Sequence, residues 1–262
     1  MPLTVGTLNL WGRWADWPGR LAALEATWPD PGPDVLLLQE VRCDGLGDQT
    51  DEVADALGYD ERISVEGHRT DDGREGIAIV SRLPLLDSRD ELLPTSEPAR
   101  RILFARVEVD GEPVSIACGH TVAVPEDVRA EQVRALLART EDPLILGADL
   151  NDVPAVVGPL IDEAGLADAL GRDEVVTWPM CRQTFGEAWR SQIGRAPHFS
   201  LEQRRLDYLL TRGMEVLDAG VDELRDDSGV YASDHALVWA SARPVRDGAV
   251  APAARPARRA RA

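Results

Sequence analysis

The feature that most constrains this chain is a set of short apolar runs, each closed by a polar residue. "LTVGTLNLW" carries Asn9 near its end, "PDVLLLQEV" closes on Gln39 and Glu40, and "DPLILGADLND" closes on Asp149 and Asn151. "REGIAIVSRLPL", "RRILFARVEVDGEPVSIACGHT", "RRLDYLLTR" and "DHALVWASA" complete the series. Such continuous runs are what strands look like when both of their faces are covered. The run through Asp110-Gly111 reads as a hairpin, because that dipeptide suits a tight two-residue turn.

Helical patterns lie between the runs. "PGRLAALEATW" sets Leu21, Leu24 and Trp28 on one face at i, i+3, i+7. "VPEDVRAEQVRALLART" opens with Pro125 and two acids, which suits a helix N-terminus, and presents Val128, Leu136 and Leu137 inward. "VGPLIDEAGLADAL" is a weaker third. Strand, Asn9, helix, strand, Glu40 makes one pass; strand, His120, helix, strand, Asp149 makes another, with spacings of 31 and 29 residues. Two β-α-β passes delivering polar groups to the same side predict an α/β (α+β) protein, with sheets packed on each other and helices outside.

Composition bounds the class. With 262 residues, 44% hydrophobic and 28% charged, the chain reads as one large globular domain over residues 1–245. Residues 246–262 read as a disordered basic tail, since "APAARPARRARA" holds four arginines and no acid. A formal charge of −18 repels polyanions at long range and disfavours non-specific DNA binding, although bound cations or a local basic patch reverse the sign within one groove. No stretch is long and apolar enough for a membrane span, and the start lacks a secretory signal, so the expected location is cytoplasmic. Cys43, Cys118 and Cys181 fit neither a disulfide framework nor a zinc site and read as reduced, buried thiols. A monomer is expected.

The closing residues are Asn9, Glu40, His120, Asp149, Asn151, Asp207, Asp234 and His235. Each alone is an ordinary turn or cap. Together, four carboxylates, two histidines and two amides suit a hard divalent cation with oxygen ligands, plus proton transfer.

These runs resemble the motifs of the endonuclease/exonuclease/phosphatase superfamily, which includes deoxyribonuclease I, abasic-site endonucleases, inositol polyphosphate phosphatases and bacterial sphingomyelinases. "TLNLW" looks like its asparagine motif, "LLLQEV" its glutamate motif and "GIAIVSRLPL" its Gly-x-x-x-x-Ser-x-x-Pro strand. "CGHT" with "RAEQVRAL" resembles the histidine motif and its Arg-x-x-Gln helix. "GADLND", "RLDYLL" and "SDH" follow in the family's order. The resemblance covers roughly residues 3–242. It implies a four-layer α/β/β/α sandwich and a Mg²⁺-dependent (or Mn²⁺-dependent) phosphoesterase.

The resemblance also implies roles. Glu40 would bind the cation, with Asn9 and Asp234 completing or supporting the shell. Asp149 would activate the attacking water, Asn151 would hydrogen-bond the phosphoryl oxygen, and His235, oriented by Asp207, would contact the phosphate. His120 would protonate or hydrogen-bond the leaving oxygen. Arg101 is the candidate phosphate contact and Arg100 an equally placed rival. Ala148 and Leu150 depart from the family's Gly-Asp-Phe-Asn pattern but leave Asp149 and Asn151 in place; "GHTVA" lacks the family's usual Thr-His-Leu order. No phenol is placed; Tyr59 and Tyr231 are the nearest options.

Trp11, Trp14 and Trp17 either pin a loop and helix to the core or stack a base or lipid. The irregular stretch 175–201, with Arg182, Arg190, Arg195 and His198, either grips a phosphate-rich ligand or simply packs. The substrate is a phosphorylated small molecule, a lipid headgroup or a nucleic acid. A nuclease is the alternative, and a catalytically silent binding protein on the same fold is the reading from another class. A glycosidase with paired carboxylates leaves both histidines without work.

Overall fold

The computed structural model describes residues 1–70, 73–94, 99–171, 175–179 and 203–245. The basic segment 246–262 and most of the 175–201 stretch, with Cys181, Arg182, Arg190, Arg195 and His198, lie outside the described residues.

The first apolar run forms β1 (Leu3–Asn9), followed by α1 (Trp17–Thr27), β2 (Val35–Asp44), β3 (Gly47–Asp48), α2 (Gln49–Leu57), β4 (Glu61–Thr70) and β5 (Gly73–Ser81). Next come β6 (Ser88–Leu92), β7 (Arg101–Val109), β8 (Glu112–His120), α3 (Glu126–Leu137), β9 (Leu144–Asp149) and α4 (Pro154–Glu163). The chain closes with β10 (Ala167–Asp168), β11 (Asp207–Arg212), β12 (Met214–Asp222) and β13 (Leu237–Pro244).

Both expected passes are present. β1 pairs parallel with β2, setting Asn9 opposite Gln39, and β8 pairs parallel with β9, setting His120 opposite Asp149. All other pairings are antiparallel, which gives two mixed sheets ordered β12-β13-β1-β2-β5-β4 (with β3 on β2) and β10-β11-β9-β8-β7-β6. The hairpin turns at Asp110 and Gly111, both with positive φ, as the Asp-Gly signal predicts.

Alternation along the strands sorts the side chains into layers. Val5, Val35, Leu37 and Ile79 of the first sheet meet Leu103, Ala105, Ile116, Ile145 and Leu209 of the second in a shared interior. Leu8, Leu36, Leu38 and Val80 turn outward against Trp17 and Leu24 of α1 and Val53 and Leu57 of α2. Phe104, Leu146, Ala148 and Tyr208 turn outward against Val133, Leu136 and Leu137 of α3 and Val157 and Ile161 of α4. The result is the α/β/β/α sandwich. In α3, Val133 rather than Val128 completes the buried face. Gly147 keeps the sheets close, since a Cβ there would lie 2.5 Å from Leu37 Cδ1 and 3.0 Å from Thr7 Cβ.

Trp11 and Trp17 are buried, so two of the three tryptophans pin the loop after β1 against α1; Trp14 alone is exposed, with Arg42 over its ring. Cys118 is buried between the sheets, where its Sγ accepts from Gln39 Nε2 at 3.3 Å. Cys43 is exposed, against expectation, because it sits where β2 runs on past the helices to pair with two-residue β3. No helix among the described residues is long and apolar enough to cross a membrane.

Candidate functional site

The topology gathers the polar residues at one rim. Parallel strands β1, β2, β8 and β9 end there, on Asn9, near Glu40, on His120 and on Asp149. Their antiparallel neighbours begin there: β5 with Glu75 in its third position, β7 after Arg100, β11 on Asp207, and β13 after the Asp234-His235 turn. Residues distant in sequence are thus brought to one end by strand direction alone.

Glu40 reaches the rim through a local departure from strand geometry. The pairing of β2 with β5 shifts register between Gln39 and Val41, leaving Glu40 as the extra residue, with φ of +54°. Simple alternation would put Glu40 on the helix-covered face with Leu36 and Leu38; the bulge re-aims it. Gln39 keeps its inward place, donating to Thr7 Oγ1 at 3.0 Å.

Buried Asn9 joins the two passes. Its Nδ2 donates to Glu40 Oε1 at 3.1 Å and to Asp149 Oδ2 at 2.9 Å, while its Oδ1 accepts from the Trp11 N–H at 2.9 Å. The side chain thus ties together the carboxylates of Glu40 in β2 and Asp149 at the end of β9, with one lone pair of Oδ1 used by the loop after β1. Asp149 Oδ1 accepts from the Asn151 N–H at 2.8 Å; Asn151 has φ of +51°, and its Nδ2 donates to Thr121 O at 3.0 Å. The Arg-x-x-Gln helix fixes the loops after both strands. Arg129 pairs with Asp152 at 2.9 Å, and Gln132 accepts from the Val122 N–H at 2.9 Å.

Both histidines face Asp149. His120 Nε2 lies 3.6 Å and His235 Nε2 3.9 Å from the same Oδ2. His235 Nδ1 sits 2.8 Å from Asp207 Oδ2, and Thr177 Oγ1 donates to that oxygen at 2.7 Å. Burial opposes charge on His235, but Asp207, Asp234 and Asp149 outweigh it and raise its pKa well above the ordinary imidazole value. His120 goes the other way: burial, then Arg100, His235 and His68, lower its pKa well below that value. Arg100 Nη1 lies 3.1 Å from His120 Nδ1 and Asn151 Nδ2 lies 3.2 Å from His120 Nε2, so a donor faces each nitrogen of this ring. The two imidazoles are therefore pushed in opposite directions, His235 toward its charged form and His120 toward its neutral one.

The two adjacent arginines go to different places. Arg101 pairs with Asp90 on edge strand β6, diagonal to it across the β6–β7 ladder, whereas Arg100 pairs with Glu75 Oε1 at 3.0 Å and faces His120. Consecutive side chains leave an extended backbone on opposite sides, so only one of the two enters the site. Glu75 was not singled out from the sequence; its one signal is a lone acid opening an otherwise apolar run. Thr177 and Trp178 carry no sequence signal of their own, yet Thr177 Oγ1 donates to Asp207 Oδ2 and Trp178 Nε1 to Asp234 Oδ2 at 3.2 Å, so two adjacent residues orient two separate site carboxylates. Asp234 faces Trp178 as well as the acidic cluster. Tyr59 is committed elsewhere, its hydroxyl donating to Pro33 O at 2.9 Å.

Among the described residues, two groups offer ligand atoms within 4.8 Å of one another: Glu40, Glu75 and His120, and Asp149, Asp207 and His235. Burial and the charges of Glu75 and Asp234 push the Glu40 carboxyl up to about 8; burial and Asp207 push Asp149 up to about 7. Carboxyls that resist ionisation for this reason are relieved by a hard divalent cation, and the oxygen-rich donor set fits one. Within the first group, Arg100 Nη1 pairs with Glu75 Oε1 at 3.0 Å and lies 3.1 Å from His120 Nδ1.

A family model described as "Endonuclease/Exonuclease/phosphatase family" matches residues 6–235. Among solved structures, an endonuclease/exonuclease/phosphatase family protein from Leptotrichia buccalis is 16% identical with a TM-score of 0.71, covering 92% of this chain and 99% of its own. The human Nocturnin catalytic domain with bound sulfate is 20% identical with a TM-score of 0.69, covering 93% and 94%. D. rerio TDP2 complexed with a single-strand DNA product is 19% identical with a TM-score of 0.65, covering 92% and 99%. At these identities the likeness is one of fold. No curated protein matches the chain. The family model spans the rim from the strand that carries Asn9 to His235 itself, and on that match the protein belongs to the endonuclease/exonuclease/phosphatase family.

Proposed function

We propose that the protein is a Mg²⁺- or Mn²⁺-dependent phosphoesterase that hydrolyses a phosphodiester or phosphomonoester by in-line attack of water. The observation that carries this reading is the convergence of two imidazoles, one backed by Arg100 and the other by Asp207, on one oxygen of Asp149. Environments that push paired groups apart in pKa mark a division of labour. Asp149, raised toward neutrality, is suited to orient water and accept its proton. Cationic His235, held by Asp207, faces the phosphoryl oxygens and stabilises charge that grows there. His120, held between Arg100 and Asn151, protonates or hydrogen-bonds the leaving oxygen. Asn151 donates to the phosphoryl group, and Glu40, supported by Asn9 and Asp234, holds the cation. When bound, such an ion neutralises phosphate charge and orients the ester.

Hydrolysis of bis-p-nitrophenyl phosphate with Mg²⁺, lost in Asp149→Ala, tests the reading. Robust activity that survives Asp149→Ala and His235→Ala together would overturn it.

A nuclease is the second reading within the same chemistry. The structural neighbour holding a single-strand DNA product favours it; the charge of −18 weighs toward a small substrate or lipid headgroup. A panel of single-stranded DNA, abasic DNA, RNA, nucleotides, inositol phosphates and sphingomyelin separates the two.

A further inference from the structure

Arg20 of α1 is almost wholly buried, yet its hydrogen bonds among the described residues all end on backbone carbonyls. Nε donates to Ala232 O at 3.0 Å, Nη1 to Gly12 O at 3.2 Å and Trp14 O at 2.7 Å, and Nη2 to Leu10 O. The guanidinium carbon lies 5.1 Å from the Trp11 ring centroid and 5.3 Å from that of Trp17. Three of the four carbonyls belong to the loop that leaves Asn9. The fourth belongs to Ala232, next to the Ser233-Asp234-His235 turn and 212 positions away in sequence. A second tie runs parallel to this one: Ser233 Oγ donates to Asn9 O and accepts from the His235 N–H at 3.1 Å.

A planar fork with five N–H groups can span carbonyls that diverge in direction; a lysine ammonium has three on a single point. Burial pulls the Arg20 pKa down to about 10, and Asp234 and Glu40 hold it up. The buried cation and the acidic rim therefore support each other, and the Trp11 and Trp17 rings add a cation–π attraction.

We propose that Arg20 is a positioning residue for the phosphoester reaction: it clamps the Leu10–Trp14 loop to the 232–235 turn and so sets the spacing of Asn9 from Asp234 and His235. Arg20 contacts neither substrate nor cation. Its effect passes through the placement of Asn9 and His235, and the proposal rests on the phosphoesterase reading.

The test compares Arg20→Lys with Arg82→Lys. Arg82 is a control of like kind, lying 4.9 Å from the Tyr59 ring centroid and donating to Gly32 O and Leu57 O, none of which belongs to the site. The NMR resonance of the His235 Nδ1 proton shared with Asp207 reports the turn directly. In Arg20→Lys this signal shifts or broadens, and kcat on bis-p-nitrophenyl phosphate falls about tenfold or more, with KM changed by less than about threefold. Arg82→Lys leaves both as in the wild type. Where circular dichroism shows that the lysine variant does not fold, Arg20→Gln replaces it, returning two N–H donors without a buried charge. A folded Arg20 variant whose His235 resonance and kcat match the wild type overturns the clamp, whatever its melting temperature. Failure of both variants to fold also overturns it, since a positioning role is separable from folding. If the wild type hydrolyses no phosphoester, the phosphoesterase reading fails, while the His235 resonance still decides the clamp.

Discussion

At the scale of single residues, the site is organised by asymmetry. His120 and His235 approach the same oxygen of Asp149, but one is backed by an arginine and the other by a carboxylate. Replacing His235 with Gln should lower kcat by about 10²–10⁴-fold with a smaller change in KM, because its charge matters most when phosphate charge is greatest. Steady-state kinetics on bis-p-nitrophenyl phosphate read this directly. The arginine pair gives a sharper contrast. Arg100→Gln removes a charge that depresses His120, so the pH–rate profile should shift as that histidine's pKa rises; Arg101→Gln, on the edge strand with Asp90, should stay within about twofold of wild type at every pH. Equal effects of the two would contradict the action of Arg100 on His120.

At the scale of elements, the sequence shows the central strands and not the edges. β1, β2, β8 and β9 are covered on both faces and read as unbroken apolar runs, which is why Asn9, His120 and Asp149 stand out at their ends. Glu40 is visible for the same reason, but its aim is not: alternation sends it toward the helices, and only a left-handed residue at a bulge brings it back. Glu75 is hidden because it opens a strand whose first residues carry charge in any case. α2 and β4 were not legible at all. The buried face of α2 is little more than Val53, Ala54 and Leu57 among three acids, although Asp48 caps its start by accepting from the Thr50 N–H and Gly58 ends it in a left-handed conformation. β4 and β6 are edge strands, where one neighbour is missing and polar residues are tolerated. The close approach of the sheets gives a prediction at this scale. Gly147→Ala forces a methyl against Leu37 and Thr7 and should cost about 1–3 kcal/mol in urea unfolding. The same change at Gly165, with open space around its Cβ, would be strained only through its φ of +66°.

At the scale of the whole molecule, stability and cation binding should be linked through pH. Glu40, Asp149, Asp234 and His235 all have raised pKa values in the fold, chiefly from burial for the carboxyls and from facing acids for the imidazole. The folded state then binds more protons than the unfolded chain, so stability falls as pH rises above the ordinary carboxylate values and through about 7 for Asp149 and about 8 for Glu40. His120, with its lowered pKa, works in the opposite direction below the ordinary imidazole value and offsets part of the loss. Melting temperature measured with a chelator should therefore drop between about pH 6 and about pH 8.5. Added Mg²⁺ should restore more of it at the higher pH, where the acids are ionised. A melting temperature that climbs with pH in chelator would contradict the raised acids.

The parallel passes have a consequence for handling the protein. β1, β2, β8 and β9 all end at the site rim, so they all begin at the other one, where the Met1 amino group pairs with Asp110 of the hairpin turn at 2.5 Å and the Val245 N–H donates to Gly213 O at 2.8 Å. The strands β1 and β13 both have their outer ends on that side, with Leu3 opposite Ala242. The molecule has a handle and a working end. A surface attachment or fused partner joined ahead of Leu3 would leave the rim of Asn9, His120 and Asp149 pointing into solution, whereas attachment at Trp14, in the loop that leaves Asn9, would turn that rim toward the surface.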